Sequence, residues 1–369
     1  MRKFKELRLV WKILVLLLLV VLIGVWGVVG VVLGKKSVQA LEIKTPVGTL
    51  INENIPELAD YPNPINGTLY NKREAKAWKD RVPLAVMVEN SFIARNWQFG
   101  LSKADIVYEA LAEGAVTRFV AIFLSQDAPQ IGPVRSARKY YYDWIIEYKP
   151  AYAHWGGNIG VRQLASQLFG ARDFDEFGSA SVAYHKDQVC KNKIPEEHCG
   201  RTSTDKLWSV ASARNVNKLS EITSWQFKDD APSKKSSASE ITIGFDNHKD
   251  FIVSWHYDPA ANSYLRFNAG VEHKDQVTGQ QIRVKTVVVC SLLFLGNEIV
   301  TGVSNRSFQT IGENKVQIFQ DGTVTAGVWK KSSREARTKF IDNNGKEIAL
   351  NRGQIWMEMI PEGSAVTYK

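Results

Sequence analysis

The chain has 369 residues with 44% apolar and 23% charged side chains, ordinary proportions for folded globular protein and more length than one hydrophobic core serves. Its formal charge of +9 is unevenly placed: residues 1–36 hold seven Lys/Arg and one Glu, a net +6, which leaves only +3 on everything that follows. With no basic stripe interleaved with aromatics, that distribution excludes a nucleic-acid surface as the source of the charge.

Residues 1–12 form a basic tail containing Arg2, Lys3, Lys5, Arg8 and Lys12. Ile13 to Leu33 is a run of 21 uncharged, almost wholly apolar residues. As a helix it would be about 30 Å long, the hydrocarbon thickness of a bilayer. The basic flank holds the N-terminus in the cytoplasm, so the membrane is an expected partner through Ile13–Leu33 and the bulk of the chain is extracytoplasmic. Val38-Gln39-Ala40 resembles a signal-peptidase site, but a cleaved signal has an apolar region of only about 7–15 residues, which favours retention of the anchor. Residues 34–80, with Pro46, Pro56, Pro62 and Pro64, read as a stalk or linker.

Residues 81–230 alternate strand and helix signals. Leu84–Val88, Ile106–Tyr108 and Phe119–Leu124 are short apolar runs suited to buried strands. Ser136–Tyr148 has helical spacing and is stopped by Pro150, Ala151–His154 returns as a strand, and Val161–Phe169 is a helix closed by Gly170. An α/β-type layer follows. Residues 231–239, Ala-Pro-Ser-Lys-Lys-Ser-Ser-Ala-Ser, form a polar linker without apolar periodicity.

Residues 240–369 read as mostly β. Ile241–Phe245, Ile252–Tyr257, Tyr264–Phe267, Ile282–Leu295, Val316–Phe319, Gly327–Trp329, Ile355–Ile360 and Val366–Tyr368 are strand-like, and Asp321-Gly322 and Asn344-Gly345 are hairpin turns. A small sandwich or barrel is the expected packing. The fold class is therefore α+β: a transmembrane helix, an α/β-type first extracytoplasmic domain and a mostly-β second domain.

Val86-Met87-Val88-Glu89-Asn90, Ala104-Asp105-Ile106-Val107-Tyr108-Glu109, Glu113-Gly114, Thr117-Arg118-Phe119, Ile131-Gly132-Pro133-Val134-Arg135-Ser136-Ala137-Arg138 and His154-Trp155-Gly156-Gly157 together resemble the YerB-like family of bacterial envelope lipoproteins. The likeness runs on through Thr202-Ser203-Thr204, Tyr257-Asp258, Tyr264-Leu265-Arg266, His273-Lys274-Asp275, Gly327-Val328-Trp329-Lys330 and Gly353-Gln354-Ile355-Trp356. The resemblance implies two consecutive domains of unknown function in the envelope and supplies no reaction. It also implies a link to peptidoglycan synthesis proteins, suggested for the family's Bacillus representative. Family members often carry a lipobox cysteine behind the apolar run; here the first cysteine is Cys190, so a protein anchor is expected in place of a lipid. Where the family pattern has Asn after the histidine matching His198 and Tyr two residues further on, this chain has Cys199 and Arg201.

The candidate ligand site lies in the first domain. Arg118, Arg135 and Arg138 offer guanidinium forks near strand ends or a helix start, suited to phosphate or carboxylate. His154 stands where a strand ends, and Glu109 and Glu113 are the acid/base candidates. No nucleophile–base spacing is diagnostic, so catalysis stays uncertain. Ser203-Thr204-Asp205-Lys206 fits S-x-x-K but lacks its companion motifs, and Thr202 with Asp205 makes an ordinary helix start. Asp173-Phe174-Asp175-Glu176 reads as a solvated loop.

Cys190 and Cys199 are a candidate disulfide outside the membrane. A zinc site from His185, Cys190, His198 and Cys199 is the alternative, with a spacing that fits no standard knuckle. No cofactor or metal is expected. The functional expectation is a non-catalytic binding or accessory protein of the envelope whose partners are anionic wall components or peptidoglycan synthesis proteins. The alternative is a hydrolase or transferase acting on an anionic envelope substrate through Glu109, Arg135, Arg138 and His154. Convergence of those side chains in one cleft would favour the enzyme.

Overall fold

The computed structural model describes residues 58–369 apart from Asn247. The anchor expected at Ile13–Leu33 lies outside these residues; among the described residues no helix is long and apolar enough to cross a membrane. Residues 58–369, apart from Asn247, belong to one compact unit.

Part of the expected stalk is folded. Tyr61–Pro62 pairs with Leu69–Tyr70, and helix α1 (Lys72–Lys79) follows, capped reciprocally by Asn71 and Glu74. Ile65, Ala75 and Trp78 are buried, while Asn63 and Asn66 donate to the buried Asp105 carboxylate at 2.7 and 2.9 Å. Apolar anchors and a buried carboxylate that needs donors hold this segment to the body despite its prolines.

The expected strands of the first half all form. Beside an unexpected β5 (Asp173–Asp175), formed where a solvated loop was expected, they are β1 (Leu84–Glu89), β2 (Ile106–Leu111) and β3 (Thr117–Phe123), buried at every position, and β4 (Ala151–His154). Burial on both faces is why these segments read as continuous apolar runs. The expected helix over 136–148 is shorter: α2 spans Lys139–Ile145 because Arg138 is extended at its N-cap (φ −138°, ψ 133°), and a 3₁₀ turn continues through Tyr148. Helix α3 (Ile159–Phe169) ends at Gly170, whose φ of +55° suits a residue without Cβ. Helix α4 (Thr204–Ala213) is capped by Ser203 rather than Thr202: the Ser203 hydroxyl accepts from the Lys206 amide at 3.3 Å, and Thr202 instead donates to the Ala183 carbonyl.

The second half supplies β6 (Glu240–Gly244), β7 (Ile252–Asp258), β8 (Ser263–Asn268), β9 (Thr286–Leu292), β10 (Phe294–Val300), β11 (Val303–Phe308), β12 (Gly312–Gln320), β13 (Thr323–Lys331), β14 (Lys339–Asp342), β15 (Ile355–Pro361) and β16 (Ala365–Tyr368). The run expected as one strand over 282–295 is broken into Arg283–Val284, β9 and the start of β10. At the β12–β13 hairpin Asp321 and Gly322 both have positive φ, +57° and +73°, as a two-residue primed turn requires.

A separate sandwich or barrel does not form in this half. Five of its strands join five from the first half in one ten-stranded sheet, in the order β14-β13-β12-β9-β15-β2-β3-β1-β4-β5. The seam is the parallel pair β15–β2, with Ile355 opposite Ile106 and Met359 opposite Ala110. Each segment is apolar on both faces, so neither can finish its burial without the other. The remaining strands form an antiparallel sheet in the order Val271–Glu272, β8, β7, β6, β16, with Arg283–Val284 pairing on β8; β10 and β11 make a separate hairpin.

Candidate functional site

Three residues separate Glu109 from Glu113, enough for the chain to leave the sheet and reach the surface. Glu109 lies within β2 and is fully buried. Thr117 Oγ1 donates to it at 2.6 Å, Trp356 Nε1 at 3.3 Å, Asn90 Nδ2 at 3.2 Å, and the guanidinium of the equally buried Arg266 makes a short charge-assisted bond. Arg266 is held over the rings of Trp356, Phe119 and Trp255, its Cζ 4.6, 5.5 and 5.6 Å from their centroids. His273 meets Arg266 through Nδ1 and Gln98 through Nε2 at 2.6 Å. Burial lowers the His273 pKa well below its usual value, and the charges of Arg266 and Arg95 add to that, so the ring stays neutral.

Glu358 sits opposite Glu109 across the β15–β2 seam and is also fully buried. Burial first and the Glu109 charge second push its pKa well above the carboxylate range, against the pull of Arg266 and of the Trp255 indole N–H, which donates at 2.8 Å. Arg266, His273 and Glu358 were not among the expected site residues. A signal for Glu358 was present: it is the one charge inside the apolar run Ile355–Ile360. For Arg266 the signal was period-two alternation, which puts it on the same face as Tyr264 and Asn268, both buried.

Glu113 lies in the turn between β2 and β3, closed by hydrogen bonds from Ala112 N to Val116 O (2.8 Å) and Val116 N to Glu113 O (2.9 Å). Its carboxylate takes one guanidinium on each oxygen, Arg118 at 2.9 Å on Oε2 and Arg138 on Oε1. Arg118 is also tied to Ser136 O at 3.0 Å and Arg138 to Ala137 O at 2.7 Å. A third guanidinium, Arg306 from β11, donates to Gly114 O at 2.6 Å. The cavity beside these groups has a volume of about 570 Å³ and is lined by Glu113, Ser136, Arg138, Gly157, Phe294 and Arg306 among others. Burial lowers the Arg138 pKa, with Tyr140 and Tyr152 acting against it; a guanidinium keeps its charge through such a shift. Arg306 came from the β half, where no anion site was expected.

The remaining candidates stand elsewhere. Arg135 pairs with the buried Glu89 at 3.2 Å and donates to Glu197 O at 2.8 Å; His198 Nδ1 meets the other Glu89 oxygen at 2.8 Å. Burial lowers the Arg135 pKa and the Glu89 charge opposes this. Cys190 and Cys199 are joined in a disulfide, Cα–Cα 5.6 Å, so neither offers a thiolate to zinc. His154 is fully buried, with Nδ1 against Gly156 O at 2.8 Å and Nε2 against Asp173 Oδ1 at 2.9 Å, so both ring nitrogens are spent on structure. Asp175, expected in a solvated loop, is buried and receives Arg162 at 2.6 Å and the Gly156 amide at 3.1 Å. Arg118 and Arg138 meet at Glu113, whereas Glu109, Arg135 and His154 each have separate partners.

Known proteins give this arrangement a context. Residues 70–217 match the family described as "Protein of unknown function (DUF3048) N-terminal domain", and residues 241–357 match its C-terminal counterpart. The "Putative lipoprotein YerB" of Bacillus subtilis (strain 168) is 31% identical over 296 residues, covering 78% of this chain and 84% of its own length. The crystal structure of the Bacillus subtilis YerB protein superposes with a TM-score of 0.71 at 27% identity, over 83% of this chain and 99% of that one.

Proposed function

This chain belongs to the YerB-like family of paired DUF3048 domains, and from that premise we propose that it is a non-catalytic, membrane-anchored envelope protein whose external body binds an anionic wall component. Anchoring rests on the 21-residue apolar run and its basic flank, which also set the external side. The lipoprotein name of the B. subtilis relative supports membrane association in the envelope. Binding rests on one observation: Arg138 and Arg306 line an open cavity together with Glu113, whose carboxylate is shared between Arg138 and Arg118. Forked N–H donors beside an open pocket recognise oxyanions.

The hydrolase or transferase reading required Glu109, Arg135, Arg138 and His154 in one cleft, and their separate partners count against it. A protein partner from peptidoglycan synthesis is a second reading. It is favoured by the exposed Phe92 and Val271 on a groove of about 790 Å³ lined also by Arg95 and Glu272. The test is binding of the full-length chain, in detergent micelles, to soluble muramyl peptides, beside crosslinking in its native membrane. Saturable binding lost in Arg138→Ala supports the wall-component reading. Binding absent from the wild type, with capture of a protein that depends on Phe92, replaces it with the second.

A further inference from the structure

We infer that Glu113 is the resident occupant of an exchangeable oxyanion site, filling the Arg118–Arg138 fork until a phosphate or carboxylate of the ligand displaces it; this rests on reading the cavity as a ligand site. The two halves of the ion pair differ in burial. The Glu113 side chain is 53% exposed, while those of Arg118 and Arg138 are 6% and 16% exposed. A carboxylate that gives up this contact regains water at once. The two guanidiniums, left alone, would lose their counter-charge in a partly dry site, which favours refilling the fork by another anion.

The surroundings permit the exchange. The turn carrying Glu113 is fixed by its own backbone hydrogen bonds, so the side chain can rotate away without moving the chain. Arg118 and Arg138 stay aimed because their second nitrogens are held by Ser136 O and Ala137 O, and Arg306 is held by Gly114 O. Arg118 also keeps a buried Nε–H without an acceptor among the described residues. A ligand oxyanion therefore meets a preorganised fork and pays mainly for displacing Glu113.

The experiment is calorimetric titration of the full-length chain in detergent micelles with inorganic phosphate and, separately, with N-acetyl-D-alanyl-D-alanine as the carboxylate probe. Wild type, Glu113→Gln and Arg138→Ala are compared, with Glu113→Ala as a second removal and thermal melting to confirm folding. Removing the competing charge should tighten binding of at least one probe about tenfold in both Glu113 variants, and Arg138→Ala should not bind it. The probe that gains affinity identifies the oxyanion. Equal affinity in wild type and both Glu113 variants would overturn the inference and leave the ligand site standing. No binding in any variant would remove the site and the inference with it.

Discussion

Glu109 and Glu113 lie on one strand and the turn that follows it, and each is paired with arginine, yet the two pairs differ in kind. At Glu109 both partners are fully buried, the cation is enclosed by three aromatic rings, and the nearby His273 is kept neutral. At Glu113 the cations are mostly buried and the anion is half in solvent. A pair sealed on both sides fixes the fold, because losing either partner strands a charge in a dry interior. A pair sealed on one side has an anion that can be replaced. Sequence chemistry is the same in both; burial assigns the roles.

Breaking the sealed pair should have the largest effect. Arg266→Ala leaves Glu109 without its counter-charge at the seam between the two halves, and should cost about 3–5 kcal/mol in urea denaturation. A loss below ~1 kcal/mol would mean that the interior is wetter than its burial implies.

The disulfide comes next. It closes a short loop that carries His198 to Glu89, beside Arg135. Replacing Cys190 and Cys199 together by Ser should cost about 2–3 kcal/mol, the loop-closure value for nine residues of separation. Phosphate binding should be unaffected, since Glu113, Arg118 and Arg138 do not depend on that loop for their contacts.

A smaller effect appears with pH. Glu358 has a folded-state pKa well above the unfolded carboxyl value of about 4.3, so above that pH the folded form holds a proton that the unfolded form has released. Its contribution to stability is present in acid and is lost as pH rises toward the folded pKa. Glu147 has the opposite sign: Arg337 and Lys331 outweigh its burial and lower its pKa, so its contribution is present above the unfolded value and lost as pH falls. Glu358→Gln should remove only the first slope, leaving a variant whose advantage over wild type grows between about pH 4.5 and 7 in parallel denaturation series. A constant difference across that range would show Glu358 ionised in both states.

The smallest effect on stability should come from Glu113→Gln, within about 1 kcal/mol, since its carboxylate is half exposed. A loss of 3 kcal/mol or more, as a sealed pair gives, would erase the distinction between the two pairs.

The fold was legible where local pattern and final burial agree. The runs at 84–88, 106–108 and 119–124 are apolar without interruption, and they are the strands buried on both faces. The Asp321-Gly322 turn was readable because only a few residue pairs tolerate its backbone. Hidden from sequence was the partner of each buried face: nothing in Ile355–Ile360 says that it lies beside Ile106–Ala110, some 250 positions away. The candidate site was legible as residue types only. Arg118, Arg135 and Arg138 are readable as anion-binding types and Glu109 and Glu113 as acids, but Arg135 turns to Glu89, and Arg306 and Arg266 arrive from the other half of the chain, which depends on the seam. His154 and Asp175 were misjudged in opposite directions, as a candidate ligand group and as a solvated acid. Both are buried among each other's neighbours.

Titration of the full-length protein with inorganic phosphate and with N-acetyl-D-alanyl-D-alanine, comparing wild type with Arg138→Ala and measuring the urea midpoint of each, bears most directly on the division between the sealed and the open pair. Saturable binding of at least one probe is expected in the wild type and none of it in Arg138→Ala, with a stability loss well below that of Arg266→Ala. Equal binding by both proteins, or a stability loss in Arg138→Ala as large as in Arg266→Ala, would contradict that division.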